Sequence, residues 1–318
     1  MAFNRRLRMR NGRTYTHPGK GHPDLIEFAG PTDPEVGVIG AWNQDNSLVG
    51  CVVNYACHGT TGPGGISADW IYFMEQTIRG AWGDDVIIVF LNGACGDVTQ
   101  VNNLSLDWAD MGERSTRFVG TRVGAEVVKV LATVPTGEAS PVTSCSRVLE
   151  IPRRRPSASR IQNSLDIVKR GQPGSTEWLF AKETLMLDAL LESDPLVEVE
   201  VQAIQIGPAV LVANPAELFC QLGLDIKADS QFPFTYVVEL ANGKIGYVPT
   251  EEAFGPSGGG YETRLTSYSN LPVSAGASIV STSKALIRSL QPGPAPAPPG
   301  TSAWTEEWDY GNAPPDLE

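Results

Sequence analysis

Apolar residues along this chain fall into short runs separated by polar, glycine-rich or proline-rich breaks, a pattern that predicts interleaved strands and helices. Residues 35–42 and 48–56 read as strands joined by a turn at 43–47. The second, LVGCVVNYA, is almost continuously apolar, as expected of a strand buried on both faces. Residues 68–82 predict a helix, with Asp69 at its start, where a carboxylate suits the helix dipole. The run DVIIVFL (85–91) predicts another buried strand, and 108–132 a mostly helical stretch.

Downstream, 141–151 predicts a strand, and 158–170 with 176–191 a helical pair split by the breaker GQPGS. The segment beginning LVEVEVQAI alternates cleanly from 196 to 206, the signature of a half-buried antiparallel strand. A short buried strand (209–213), a helix opened by proline (215–228), a strand (234–239), a glycine-rich loop through Tyr261 and a helix (274–290) complete the order. Interleaving of this kind implies an α/β fold with a mixed sheet flanked by helices. The boundaries expected are an irregular leader over 1–34, a folded domain over 35–290, and a proline-rich, disordered tail over 291–318, beginning QPGPAPAPPG.

Composition narrows the function. Apolar residues make up 42% of the 318, enough for a folded core. A net charge of −12 is a poor match for nucleic acid, which is excluded as a partner, and for anionic lipid surfaces. No run approaches the roughly 18 apolar residues of a membrane span. The basic start MAFNRRLRMRNGR has no apolar segment behind it, so the chain as it stands reads as cytoplasmic, with an extracytoplasmic home open to an upstream leader. Five cysteines (Cys51, Cys57, Cys95, Cys145, Cys220) show no pairing pattern and read as reduced thiols.

Reactive side chains gather just after buried strands, where open α/β sheets hold ligands. His58 ends VVNYACH and could ligate a metal or simply cap the strand. Asp97, in FLNGACGDVTQ, could be a general base or a turn aspartate bonding its own backbone. Cys95 in the same loop could be a nucleophile, although GACGD lacks the final glycine of a nucleophile elbow. Glu217, in AVLVANPAELFCQLG, could aim a carboxylate at a metal or merely favour a helix start. Tyr247, in VELANGKIGYVPTEEAF, could be a ligand or a packing residue.

Four strings occur together: NYACHGTTGPGGISADW, FLNGACGDVTQ, NPAELFCQLG and ELANGKIGYVPTEEAFGPSGGGYE. In order and spacing they resemble the neutral ceramidase family and its short bacterial relatives, over residues 3–290, and Asn4–Arg6 resembles the stretch that precedes these motifs there. The resemblance implies the C-terminal part of a catalytic domain that binds one zinc ion and hydrolyses the N-acyl amide bond of ceramide or other N-acylated amines. It implies His58, Glu217 and Tyr247 as zinc ligands, Asp97 as general base, and Arg5 and Tyr261 beside the substrate amide. Thr99, where the family has serine in GDVSPN, is the matching substrate-side hydroxyl, and Gln100 replaces its proline.

A second family histidine, in a motif like HTHSGP, precedes the Asn4–Arg6 stretch in the family and has no counterpart after Met1; His17 and His22 lie in a different motif. The expectation is therefore a fragment, a processed product or a subunit that self-associates or takes a complementing N-terminal chain. The competing expectation is a non-catalytic binding or scaffold protein on the same fold.

Overall fold

The structure, a computed structural model, describes residues 1–106, 110–298, 300, 302–303 and 313–318. Residues 1–34 are not an irregular leader. They form β1 (Phe3–Asn4), β2 (Arg6–Met9), β3 (Thr14–Thr16) and β4 (Leu25–Phe28), with β3 and β4 antiparallel to the two sides of β2. Strands of two to four residues are too short to display a period, which is why the pattern was invisible in sequence. They nevertheless bury Leu7 and Met9 and draw Arg5 and Arg6 inside.

The first layer of the domain is β5 (Gly37–Trp42), β6 (Leu48–Tyr55), α1 (Asp69–Trp82) and β7 (Ile87–Asn92). β5 runs antiparallel to β6, and the crossover through α1 makes β7 parallel to it. A two-residue strand, β8 (Val98–Thr99), pairs with β1 so that Asn4 faces Val98. Helix α2 (Glu113–Leu131) packs on α1, closely enough that a Cβ on Gly120 would fall 2.2 Å from the Trp70 carbonyl oxygen. Trp70, Met74 and Ile78 from α1 and Val119, Val123 and Val127 from α2 bury one face of β6 through Cys51, Val53 and Tyr55. The expected helix start at 108 moves to Glu113, after Gly112 with φ +85°; residues 107–109 lie outside the described residues. β7 is not buried on both faces: Ile88 is inside, but Ile87 and Val89 are 62% and 45% exposed, because helices cover only one side of this layer.

The second layer contains β9 (Val142–Pro152), the hairpin of α3 (Ala158–Arg170) and α4 (Thr176–Ser193), β10 (Leu196–Ile206) and β11 (Ala209–Ala213). It continues through β12 (Glu217–Leu218), α5 (Cys220–Ala228), β13 (Phe234–Val238), β14 (Tyr247–Val248) and α6 (Ala275–Arg288). Its main sheet has the order β13-β11-β10-β9, with β13 parallel to β11 and the other pairs antiparallel. The alternation read over 196–206 holds: Val197, Val199, Val201 and Ala203 point into a core shared with α5 and α6. The two layers join where Asn54 Nδ2 donates to the carbonyls of Leu91 (2.9 Å) and Val237 (3.0 Å) and Glu239 N donates to Asn92 O (3.0 Å).

Two further expectations change. The helix predicted over 215–228 begins only at Cys220, because Glu217 N donates to Gly246 O and commits Glu217–Leu218 to a parallel pair with Tyr247–Val248. The proline-rich tail has no regular structure over 291–298, yet its opening is tied down: Gln291 O accepts from Gln205 Nε2 (2.6 Å), and Gly293 N donates to Gly207 O (3.0 Å).

Candidate active site

One loop and two short strands meet at the junction of the layers, and each delivers one side chain to a common point. His58 follows β6. Its Nδ1 lies 3.3 Å from Cys95 Sγ, and its Nε2 lies 3.2 Å from Glu217 Oε2. Glu217 sits on β12, directly across from Tyr247 on β14. Its carboxylate accepts a hydrogen bond from the Tyr268 hydroxyl through Oε1. Burial pushes the pKa of Glu217 up, but His58, Tyr268 and Tyr247 outweigh it and hold the pKa below the usual carboxylate value. The Tyr247 ring meets those of Tyr261 and Tyr268 edge-on at 5.5 and 5.9 Å, and its hydroxyl lies 3.2 Å from that of Tyr261.

Arg5 closes one side. Its guanidinium carbon lies 5.3 and 5.2 Å from the Tyr247 and Tyr261 ring centroids. Its Nε donates to Glu262 Oε1 at 3.0 Å and its Nη2 to Gly96 O at 2.7 Å. Both members of the Arg5–Glu262 pair are buried, so the charge is fixed in place and little screened. The Tyr247 phenol is held protonated: burial pushes its pKa far up, and the opposing charge of Arg5 only partly offsets this. Tyr261 is 41% exposed and forms the rim.

His58, Glu217, Tyr247, Arg5 and Tyr261 thus converge. Asp97 and Thr99 do not join them. Asp97 is 2% exposed; its Oδ2 accepts from Asn4 Nδ2 (2.7 Å) and its Oδ1 from Cys220 N (2.8 Å). That second bond caps the start of α5, the same service a cap side chain performs at any helix N-terminus. Burial pushes the Asp97 carboxyl above its usual pKa. A general base needs a free oxygen facing substrate, and neither oxygen of Asp97 bonds to His58, Glu217 or Tyr247. Thr99 is also buried, and its Oγ1 accepts from Val101 N at 3.2 Å. Both are held where the β8 loop meets β1.

Cys95 sits beside the imidazole, as a cysteine–histidine pair would require, but its sulfur is fully buried and cannot meet a substrate. Burial and the neighbouring Glu239 raise the thiol well above its ordinary pKa, the reverse of an activated nucleophile. All five cysteines are unpaired.

Glu239 and Tyr268 are site residues that sequence reasoning missed. Glu239 lies just past β13, fully enclosed. Its Oε2 accepts from Cys95 N and Leu218 N (both 3.0 Å), and its Oε1 accepts from Cys95 Sγ (2.9 Å). One carboxyl thus ties the loop after β7 to β12 and aims the thiol that faces His58. Burial pushes its pKa up to about 8. Asn92 is best oriented with Nδ2 donating to the carbonyls of Tyr55 (3.0 Å) and Cys57 (3.2 Å), which turns its oxygen toward Glu239, where an acid proton is accommodated. The only sequence sign of Glu239 was a carboxylate ending an apolar run; Tyr268, in SYSN, carries none.

Among the described residues no group of three or more His, Cys, Asp and Glu side chains is poised to hold a metal. The donors that do converge are an imidazole nitrogen, a carboxylate oxygen and a phenol oxygen, three in number as in catalytic zinc sites, with the phenol the uncommon member. The nearby thiol is directed to Glu239 and His58 Nδ1, leaving Nε2 on the side of Glu217. This donor set fits a divalent cation of nitrogen and oxygen preference.

Comparison with solved structures shows what the fold is like. The neutral ceramidase of Pseudomonas aeruginosa superposes with a TM-score of 0.60 at 16% identity, over 96% of this chain and 53% of that one. A ceramidase complexed with C2 gives a TM-score of 0.61 at 16% identity, over 94% of this chain and 55% of the other. The fold is ceramidase-like. The chain spans about half the length of these ceramidases. No family model matches the sequence, and no curated protein matches it. No helix among the described residues is long and apolar enough to cross a membrane.

Proposed function

We propose that this ceramidase-like chain is part of a zinc-dependent hydrolase of N-acyl amide bonds, acting on ceramide-like lipids or other N-acylated amines. The observation that carries the reading is the convergence of His58, Glu217 and Tyr247, 159 and 30 residues apart in succession along the chain, on one point beneath an exposed tyrosine rim. In this reading those three side chains would hold the ion. Bound there, zinc would polarise the amide carbonyl and lower the pKa of a water to about 7.

The chain's own groups serve the rest. Arg5, permanently charged and clamped by Glu262 and Gly96, faces the two tyrosine rings, where it can balance charge developing on the amide oxygen. The exposed Tyr261 hydroxyl, 3.2 Å from that of Tyr247, can donate to substrate. Asp97 acts at one remove: it holds Asn4 beside Arg5 and fixes the start of α5, and so the β12 strand before it. This replaces the general-base role expected from its motif.

Metal content tests the proposal. The purified chain, alone and with any upstream segment from the same locus, is expected to retain about one zinc per site, and Glu217→Ala to lose it. Zinc that stays after Glu217→Ala would refute the site. Zinc binding without hydrolysis of any N-acyl amine, upstream segment included, would favour the scaffold reading, for which the locked Asp97 is the supporting observation.

A further inference from the structure

Beside the candidate active site, the α3–α4 hairpin and the segment after Tyr261 enclose a cleft of about 820 Å³. Three arginines line it: Arg154 just after β9, Arg160 in the first turn of α3, and Arg264 just after the turn Tyr261–Thr263. Glu177 is the one acid in the lining among the described residues. On a chain of net charge −12, this is a local reversal of sign.

The three guanidinium groups are held but not neutralised. Arg154 lies over the Phe254 ring at 5.0 Å, and its Nε is buried without a hydrogen-bond partner. Arg264 lies over Phe180 at 3.4 Å, and Arg160 Nη2 donates to Leu265 O at 3.3 Å. None of the three makes an ion pair among the described residues. Burial, and then the charge of Arg160, lowers the pKa of both Arg154 and Arg264. Crowded like charges pinned by aromatic faces are unfavourable by themselves. They become favourable around an anion, because each guanidinium keeps unused donors in a fixed fork.

We propose that this cleft is a binding site for a phosphate-type dianion, with Arg154, Arg160 and Arg264 as its ligands. A planar carboxylate is satisfied by one guanidinium fork, whereas three guanidinium groups around one cleft match a group with two charges and three peripheral oxygens. The ligand is free phosphate or a phosphomonoester. The turn that brings Tyr261 to the active-site rim also carries Thr263 and Arg264 to the cleft, so the two sites adjoin.

Calorimetric titration of the full chain with inorganic phosphate, at constant ionic strength, tests this without zinc or hydrolysis and so stands or falls apart from the hydrolase reading. Saturable binding is expected. Arg154→Gln and Arg264→Gln should each weaken it at least tenfold, while Arg155→Gln, exposed and outside the lining, should leave it unchanged. If Arg154→Gln fails to fold, the exposed pair Arg160→Gln and Arg264→Gln carries the test. Glycerol phosphate binding more tightly than phosphate would assign the phosphomonoester source, and the reverse order free phosphate. No saturable binding, an equal loss in Arg155→Gln, or acetate binding as tightly as phosphate would overturn the proposal.

Discussion

Glu217 and Tyr247 lie directly opposite one another in parallel register, each on a strand of only two residues. The pairing is made possible by Gly246, whose φ of +79° belongs to the left-handed region and whose missing Cβ leaves room for the Tyr268 carbonyl oxygen, 1.9 Å from where that carbon would be. The carboxylate, the phenol beside it and the Tyr268 hydroxyl are therefore placed by one backbone crossing.

Gly246→Ala should displace that crossing. Backbone strain and overlap act together, so a loss of stability above about 1 kcal/mol is expected. Equilibrium urea unfolding measures it, and zinc content should fall in the same variant. Wild-type stability in Gly246→Ala would mean the crossing is not as tight as described.

Arg5→Ala removes one member of a fully buried ion pair and strands the Glu262 carboxylate, whose other oxygen is held by Thr16 Oγ1 at 2.8 Å. Removing one partner of such a pair typically costs about 3–5 kcal/mol. The double replacement Arg5→Met with Glu262→Leu should recover much of the loss in stability but none of the activity, which denaturation and turnover assays read separately.

The Glu239 carboxyl fixes a pH dependence. Its pKa in the folded chain is about 8, against an ordinary value of 4.5. Between those values the folded state holds a proton that the unfolded state has released, so the contribution is fully present below 4.5 and is lost as pH rises toward 8. Glu239→Gln cannot titrate. Its stability relative to wild type should rise steadily from pH 5 to 8 in paired urea titrations; a pH-independent difference would contradict the burial of this group.

Cys95 is expected to orient His58 from behind. Cys95→Ala should weaken zinc affinity about 10–100-fold, in line with the loss of a partner to a metal-bound imidazole. Cys95→Ser, which keeps a donor and acceptor between Glu239 and His58, should restore most of it. Competition against a chromogenic chelator gives the affinities. Equal affinities for the three proteins would remove Cys95 from the site.

Much of this architecture can be read from periodicity, because β6, β10, β11 and α1 each express their burial within a few residues. The site divides differently. His58 and Glu217 follow apolar runs, and a residue leaving a buried strand is visible as such; Tyr247 follows the glycine-rich stretch NGKIG and carries no such mark. Asp97 shows the limit of that argument: the same Gly-Asp turn serves an exposed base or a buried cap, and only the positions of Asn4 and Cys220 decide. Glu239 was hidden because its donors, Cys95 and Leu218, are remote in sequence. The strands of the first 28 residues were hidden because their pairing, not their composition, makes them strands.

The Arg5–Glu262 bond spans 257 residues, and the Asn4–Asp97 bond 93. Such loops close late, since their entropy must be met before the contact returns anything. Nearly the whole polypeptide must therefore have emerged and collapsed before Arg5 reaches its seat. Cleavage just after Arg5 would empty that seat and remove β1 while sparing the larger sheets, leaving a molecule that resembles the native one by circular dichroism and lacks its guanidinium.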